Sequence, residues 1–229
     1  WGCDGARHPE PHATAVASLL AGSAARTPHA ARLWSADIYC GQATGGNALQ
    51  LVEALAWLAR ERVGVVNISL VGPDNRLLAR ATASLIARGH VLVAAVGNDG
   101  PNAPPLYPAA YPGVIGVTGI DQRLRVLPEA VRGPQVAFAA PGAGLRAAVP
   151  GGDWQPMRGT SFAAPLVARL AAVTGIEPGP GAGEAAHAAL VRAALPVPER
   201  DRRQAFGQGL LALDLVDGYA QATAPQVAR

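Results

Sequence analysis

Val65-Val66-Asn67-Ile68-Ser69-Leu70 and Val91-Leu92-Val93-Ala94-Ala95-Val96 decide the fold, together with what lies between them. Each is a short apolar run of strand length, and the second has no polar residue at all. That is the pattern of a strand covered on both faces of a parallel sheet. Between them, Asp74 or Asn75 caps a helix in which Leu78, Leu85 and Ile86 face inward, and Gly89 stops it. Strand, helix, strand in this order predicts a crossover unit.

The alternation extends outward in both directions. Val114-Ile115-Gly116-Val117 reads as a further strand. Upstream, Asn47 caps a helix with Leu51, Leu55 and Leu58 on one face, and residues 36–40 read as a strand before it. Residues 13–21 form a short helix that Gly22 ends, and residues 184–195 form a late one. The Pro- and Gly-rich residues 177–183 are the best candidate for a surface loop or trimming point. The expected fold class is therefore α/β, with a mostly parallel sheet and helices on both faces. Residues 1–229 form a single domain that closes in a tail over about residues 216–229.

Composition narrows the partners. Half of the 229 residues are hydrophobic and 15% are charged, enough for a sizeable core. All 19 basic residues are arginine, yet the formal charge is only +3, and only Arg200, Arg202 and Arg203 cluster. Nucleic acid is not an expected partner. No apolar run approaches the ~20 residues of a membrane-spanning helix. Neither a Gly-x-Gly-x-x-Gly nor a Gly-Lys-Ser/Thr phosphate loop occurs, which argues against a nucleotide-binding domain. No loop gathers enough acidic oxygens for a metal, and no cofactor is expected. Cys3 and Cys40 either bridge or remain two thiols; an oxidising compartment favours the bridge.

Three segments carry groups suited to chemistry. His12 heads the helix of residues 13–21, and imidazole is the side chain that exchanges protons near neutral pH. Asn98, in Val96-Gly97-Asn98-Asp99-Gly100, follows the most apolar strand, where a neutral amide can be held ready as a donor to an oxyanion. In Arg158-Gly159-Thr160-Ser161-Phe162-Ala163-Ala164-Pro165, Gly159 permits a tight turn. Ser161 then sits in the first turn of a helix, where free N–H groups favour developing negative charge.

The order His, Asn, Ser, with these surrounding strings, resembles the subtilisin-like serine proteases. Asn67-Ile68-Ser69-Leu70-Val71-Gly72-Pro73, Tyr107-Pro108-Ala109-Ala110-Tyr111-Pro112, Ala140-Pro141-Gly142 and Phe206-Gly207-Gln208-Gly209-Leu210 extend the likeness over about residues 12–215. The resemblance implies a three-layer α/β fold and a serine endopeptidase acting on peptides or proteins. Ser161 would be the nucleophile, His12 the base and Asn98 the oxyanion donor. Ser69, Leu70 and Val71 would pair with an extended substrate, and Leu70, Ala95, Val96 and Gly97 would line the specificity pocket. Secretion or the periplasm is the implied location, and the Cys3–Cys40 bridge would fit it.

The chain departs from that pattern in four places. The family's third triad member, an aspartate on the first sheet strand, has no counterpart. Asp4 lies in Trp-Gly-Cys-Asp-Gly-Ala-Arg, which is not an apolar strand ending in Asp-x-Gly. The expectation is that this N-terminal strand is missing from the chain and that an N-terminal fragment of the same precursor carries the acid. The sheet would then lack a central strand and expose Val- and Ile-rich faces. Ala13 and Val71 replace glycines, and Leu106 precedes Tyr107 where relatives often carry a small residue. Together these predict a shallow pocket for small or medium apolar side chains. Two rival readings remain: a peptide-binding module with impaired catalysis, and a related acid-active class that lacks the histidine, which His12 and Asn98 disfavour.

Overall fold

The computed structural model describes residues 1, 2, 5, 8–21, 32–42, 46–173, 177–197 and 205–211. Asp4, Cys3, Gly22 and the tail lie outside the described residues.

The helices on one sheet face form as their caps and periodicity direct. In α2 (Ala48–Arg60), Asn47 Oδ1 accepts from Gln50 N–H while Gln50 Oε1 accepts from Asn47 N–H, each at 3.0 Å. This reciprocal box answers two N–H groups that the helix cannot satisfy itself. Leu51, Leu55 and Leu58 are buried. In α3 (Arg76–Ala87) the cap is Asn75, whose Oδ1 accepts from Leu77 and Leu78 N–H. Asp74 instead accepts from the Tyr111 hydroxyl at 3.0 Å.

Beneath these two helices lies the sheet: β1 (Val65–Ile68), β2 (Val91–Ala95) and β3 (Ile115–Ile120), then β4 (Phe138–Pro141). They pair in parallel, with Val65 opposite Val91 and Val93 opposite Ile115. A hairpin of β5 (Ala143–Ala148) and β6 (Trp154–Arg158) stands apart as a second, antiparallel sheet. Short β7 (Ala194–Leu195) and β8 (Leu210–Leu211) complete the main sheet in the order β1-β2-β3-β4-β8-β7.

Side chains of β2 alternate between two cores. Val91, Val93 and Ala95 pack with α1 (Pro11–Ala21), α4 (Thr160–Val173) and α5 (Ala182–Ala193). Leu92, Ala94 and Val96 pack with α2 and α3. This is the expected three-layer arrangement. Helix α4 is largely apolar, and eleven of its fourteen residues are buried, Arg169 and Thr160 among them. A helix of that kind belongs inside a fold, not on its surface. Burial of each Leu or Val side chain contributes about 1.5–3 kcal/mol.

Three expectations are corrected. Residues 36–40 are not a strand: Asp37 Oδ1 accepts from Tyr39 and Cys40 N–H at 2.8 and 3.0 Å, and Cys40 has φ 53. A short Asp side chain that binds its own downstream backbone makes a turn. The β1 faces are not exposed either. Val66 and Ile68 are each 4% accessible, sealed by α2, α3 and Ile38. What β1 does leave open is an edge, because among the described residues its only strand partner is β2. The late helix begins at Ala182 and ends at Ala193, short of the expected Leu195, which lies in β7. Cys40 is disulfide-bonded; Cys3, the only other cysteine in the sequence, lies outside the described residues.

Candidate active site

The carboxyl ends of β1 and β2 meet the N-terminus of α4. Arg158 ends β6, and Gly159 turns the chain into α4 with φ 133, a conformation a side chain resists. A Cβ there would also stand 3.3 Å from Asn98 Nδ2. The turn therefore needs glycine both for its backbone and for the approach of Asn98.

The first N–H groups of α4 have no partner within the helix. Asn98, just beyond β2, answers one of them: Thr160 N–H donates to Asn98 Oδ1 at 3.0 Å. With its oxygen so engaged, the amide has its Nδ2 left over, and among the described residues Nδ2 has no protein partner. Thr160 Oγ1 accepts from Gly97 N–H at 3.2 Å, so the loop after β2 and the start of α4 are joined twice. The sequence reading assigned Thr160 no such role.

Pro165 explains a third link. A proline at helix position i removes the N–H that would serve the carbonyl at i−4. That carbonyl belongs to Ser161. It accepts instead from Ser69 Oγ at 2.7 Å, across ninety-two residues of sequence. Ser69 Oγ in turn accepts from Asn67 Nδ2 at 2.9 Å. Asn67 Oδ1 is buried and has no hydrogen-bond partner among the described residues. β1 is thus tied to the backbone of Ser161 through two side chains.

His12 arrives on α1, which packs against α4 and β5. Pro11 begins α1, as its fixed φ and missing N–H suit a first helical position. Ser18 Oγ accepts from Ala148 N–H at 3.1 Å and fastens α1 to the hairpin. The His12 ring lies 5.3 Å from that of Phe162, the residue after Ser161. The two rings are tilted by 54°, and His12 as a whole is exposed. Burial lowers its pKa below the ordinary 6.5, and no carboxylate among the described residues offsets that effect. Asp4 lies outside them.

The other named residues distribute as follows. Gly72 and Tyr107 exchange backbone hydrogen bonds at 2.8 and 2.9 Å, which holds Ser69, Leu70 and Val71 against the segment after Asn98. Val71 is exposed. Ala95 and Val96 bury their side chains in opposite cores, so only their backbone could face a ligand. Gly97 has φ 104, and a Cβ there would meet Leu106 Cδ1 at 2.5 Å. Leu106 therefore lies directly over the stretch named as pocket lining.

A further brace escaped the sequence reading. Arg158 Nε and Nη2 bind Glu129 Oε1 and Oε2 at 2.7 and 2.8 Å. Burial, the largest single influence, would raise the Glu129 pKa, but the hydrogen bond from Arg158, a backbone hydrogen bond and the Arg158 charge together hold the carboxyl below its ordinary value. The Glu129 carbonyl accepts from Gly100 N–H at 2.8 Å, and Val131 N–H donates to the Gly97 carbonyl at 3.1 Å. Among the described residues no group of three His, Cys, Asp or Glu side chains could hold a metal ion. Nor is any helix among them long and apolar enough to cross a membrane.

A model described as the Subtilase family matches residues 4–209. Subtilisin Savinase of Lederbergia lenta is 31% identical over 144 residues, which is 61% of this chain and 53% of that protein. The minor extracellular protease Epr of Bacillus subtilis (strain 168) is 32% identical over 129 residues, 56% of this chain and 20% of its own. The matched stretch thus spans about half or less of these relatives. Among solved structures, a lanthipeptide protease aligns with a TM-score of 0.75 and 20% identity, covering 95% of this chain and 76% of its own. The prenylagaramide maturation protease PagA aligns at 0.71 with 23% identity, covering 93% and 86%. At these identities the structural likeness speaks for the fold. The sequence relatives are proteases, which supports a peptidase function.

Proposed function

The chain belongs to the subtilase family, and from that premise we propose that it is a serine endopeptidase acting through Ser161, His12 and Asn98. The observation that carries this reading is the juncture of α4 with β1 and β2. It sets Ser161 between Ser69 and the Asn98 loop, with the His12 ring packed on the next residue. Ser161 Oγ attacks the scissile carbonyl while His12 takes its proton and later delivers it to the leaving amine. Asn98 Nδ2 and the Ser161 N–H hold the oxyanion; one such side-chain donor is worth about 3–4 kcal/mol. Burial lowers the His12 pKa below its ordinary value, which favours the neutral imidazole that can accept the proton.

Ser69, Leu70 and Val71 pair their backbone with an extended peptide or protein substrate. Leu106 over Gly97 makes the pocket shallow and suits small or medium apolar side chains. An N-terminal segment of the same precursor supplies the orienting carboxylate by adding a strand to the open edge of β1. Residues 1–229 act as one catalytic domain. Extracellular relatives and the bonded Cys40 favour secretion.

Reaction with a fluorophosphonate probe tests the reading, with Ser161→Ala as control. Labelling at Ser161, faster when the upstream segment is restored, is the expected result. A folded chain that takes no label under either condition overturns it. That outcome would favour an impaired peptide-binding module, a reading motivated by the lack of a carboxylate partner for His12 among the described residues.

A further inference from the structure

The carboxyl ends of the strands form a line, and Ser161 sits at one end of it. Ser69 follows β1 and Asn98 follows β2, so the reacting centre lies over these two strands. Asp121 follows β3, and Gly144 lies in β5 just after β4. Between those last two ends, and bounded by Arg158, is a cleft of about 260 Å³. Neighbouring strands are ~4.8 Å apart and an extended peptide advances ~3.3 Å per residue. For a substrate that pairs with residues 69–71 and runs on across the sheet on its leaving-group side, two strand spacings correspond to about three residues, which would bring the second or third residue after the scissile bond to this cleft.

The charges in the cleft do not cancel. Asp121 is spent on its own turn: Oδ1 accepts from Arg123 and Arg125 N–H at 2.8 and 2.9 Å, and Oδ2 accepts from Arg125 Nε and Nη2 at 3.0 and 2.8 Å. These bonds hold its carboxyl below its ordinary pKa, so it stays ionised and occupied. Glu129 is occupied by Arg158. Arg123 lines the cleft, and among the described residues its guanidinium has no partner. Three guanidinium groups thus face two carboxylates already engaged. Asp99 is exposed on the Asn98 loop and does not line the cleft.

We infer that this cleft is a carboxylate-binding subsite, in which Arg123 selects an acidic group two or three residues beyond the scissile bond. The inference rests on the peptidase reading above and deepens it. A planar guanidinium fork suits a carboxylate, whether of a Glu or Asp side chain or of a peptide C-terminus. A lysine or arginine at the same place would meet uncompensated positive charge.

The test uses binding, so turnover is not required. The Ser161→Ala chain is titrated with fluorescent ten-residue peptides that differ only at these two positions, carrying Glu, Gln or Lys. A further pair ends there in a free carboxylate or an amide. Glu peptides should bind about two- to fivefold more tightly than Lys peptides, the range for an exposed ion pair. In Arg123→Glu the order should reverse, in Arg123→Gln it should flatten, and 0.5 M salt should erase it in all forms. Preference for the free terminus over internal Glu would assign the subsite to chain ends; the converse would assign it to side chains. Equal binding of Glu, Gln and Lys peptides overturns the inference while sparing the groove. Failure of every peptide to bind overturns the groove and the inference together.

Discussion

Replacing Ser69 by alanine removes the hydroxyl that serves the Ser161 carbonyl, a carbonyl that Pro165 cannot serve. The bond is 2.7 Å long and partly buried. An unanswered acceptor of that kind costs about 1–2 kcal/mol, and Asn67 Nδ2 loses its acceptor as well. For a domain of this size each kcal/mol lowers the melting temperature by about 2–4 °C. The decisive comparison is a double-mutant cycle. Pro165→Ala restores an N–H one helical turn beyond Ser161, so in that background the same Ser69→Ala change should cost about 0.5 kcal/mol. Urea titrations followed by tryptophan fluorescence would yield both values, with a coupling of about 1 kcal/mol. An equal cost in the two backgrounds, or none in either, would refute the claim that proline and serine are partners in one backbone accommodation.

Three further outcomes are expected. Asn98→Ala should lose about 1 kcal/mol of stability, because Thr160 N–H loses its acceptor, whereas Asn98→Asp keeps that acceptor and should remain near the parent. Both should fall by about 10²–10³-fold in kcat or in labelling rate, so the pair separates support of the helix from oxyanion donation. The His12 pKa is lower in the folded than in the unfolded chain, so the unfolded state binds more protons between the two values. The parent should therefore be most stable, relative to His12→Gln, above pH 6.5, and should lose that advantage as pH falls through the folded-state pKa; denaturation series from pH 8 to 4 check the sign. Gly159→Ala should cost about 1–3 kcal/mol in melting experiments, since φ 133 strains any side chain and the new Cβ presses on Asn98.

Much of the sheet was legible because its strands and helices announce themselves locally. β2 is an unbroken apolar run, and Asn47 and Asn75 mark where α2 and α3 begin. The β5–β6 hairpin was not legible. β5 buries only alternate residues, and β6 is exposed throughout save for Met157 and holds Pro156, so neither shows a continuous apolar signal. Residues 36–40 misled for the opposite reason: apolar neighbours suggested a strand where one aspartate side chain makes a turn. At the site, single residues were visible only as parts of spaced strings. The relation of Pro165 to Ser69, and of Glu129 to Arg158, was not, because partners so distant in sequence obey no period. Their pairing is fixed by where β1, β3 and α4 end in space.

Helices α1 and α4 differ sharply in how deeply each is seated: Ala15 is the only buried residue of α1, whereas α4 lies in the middle of the core. Opening α4 means dismantling the molecule, while α1 can leave the surface at far smaller cost. Amide hydrogens in the body of α4, from Leu166 onward, should thus exchange at the rate of global unfolding, and those of α1 much sooner. On warming, the His12 ring would drift from the Phe162 ring and the start of α4 before the circular dichroism spectrum changes. Inactivation and melting would then be separate events, and a well-folded spectrum would be no certificate of a competent pair.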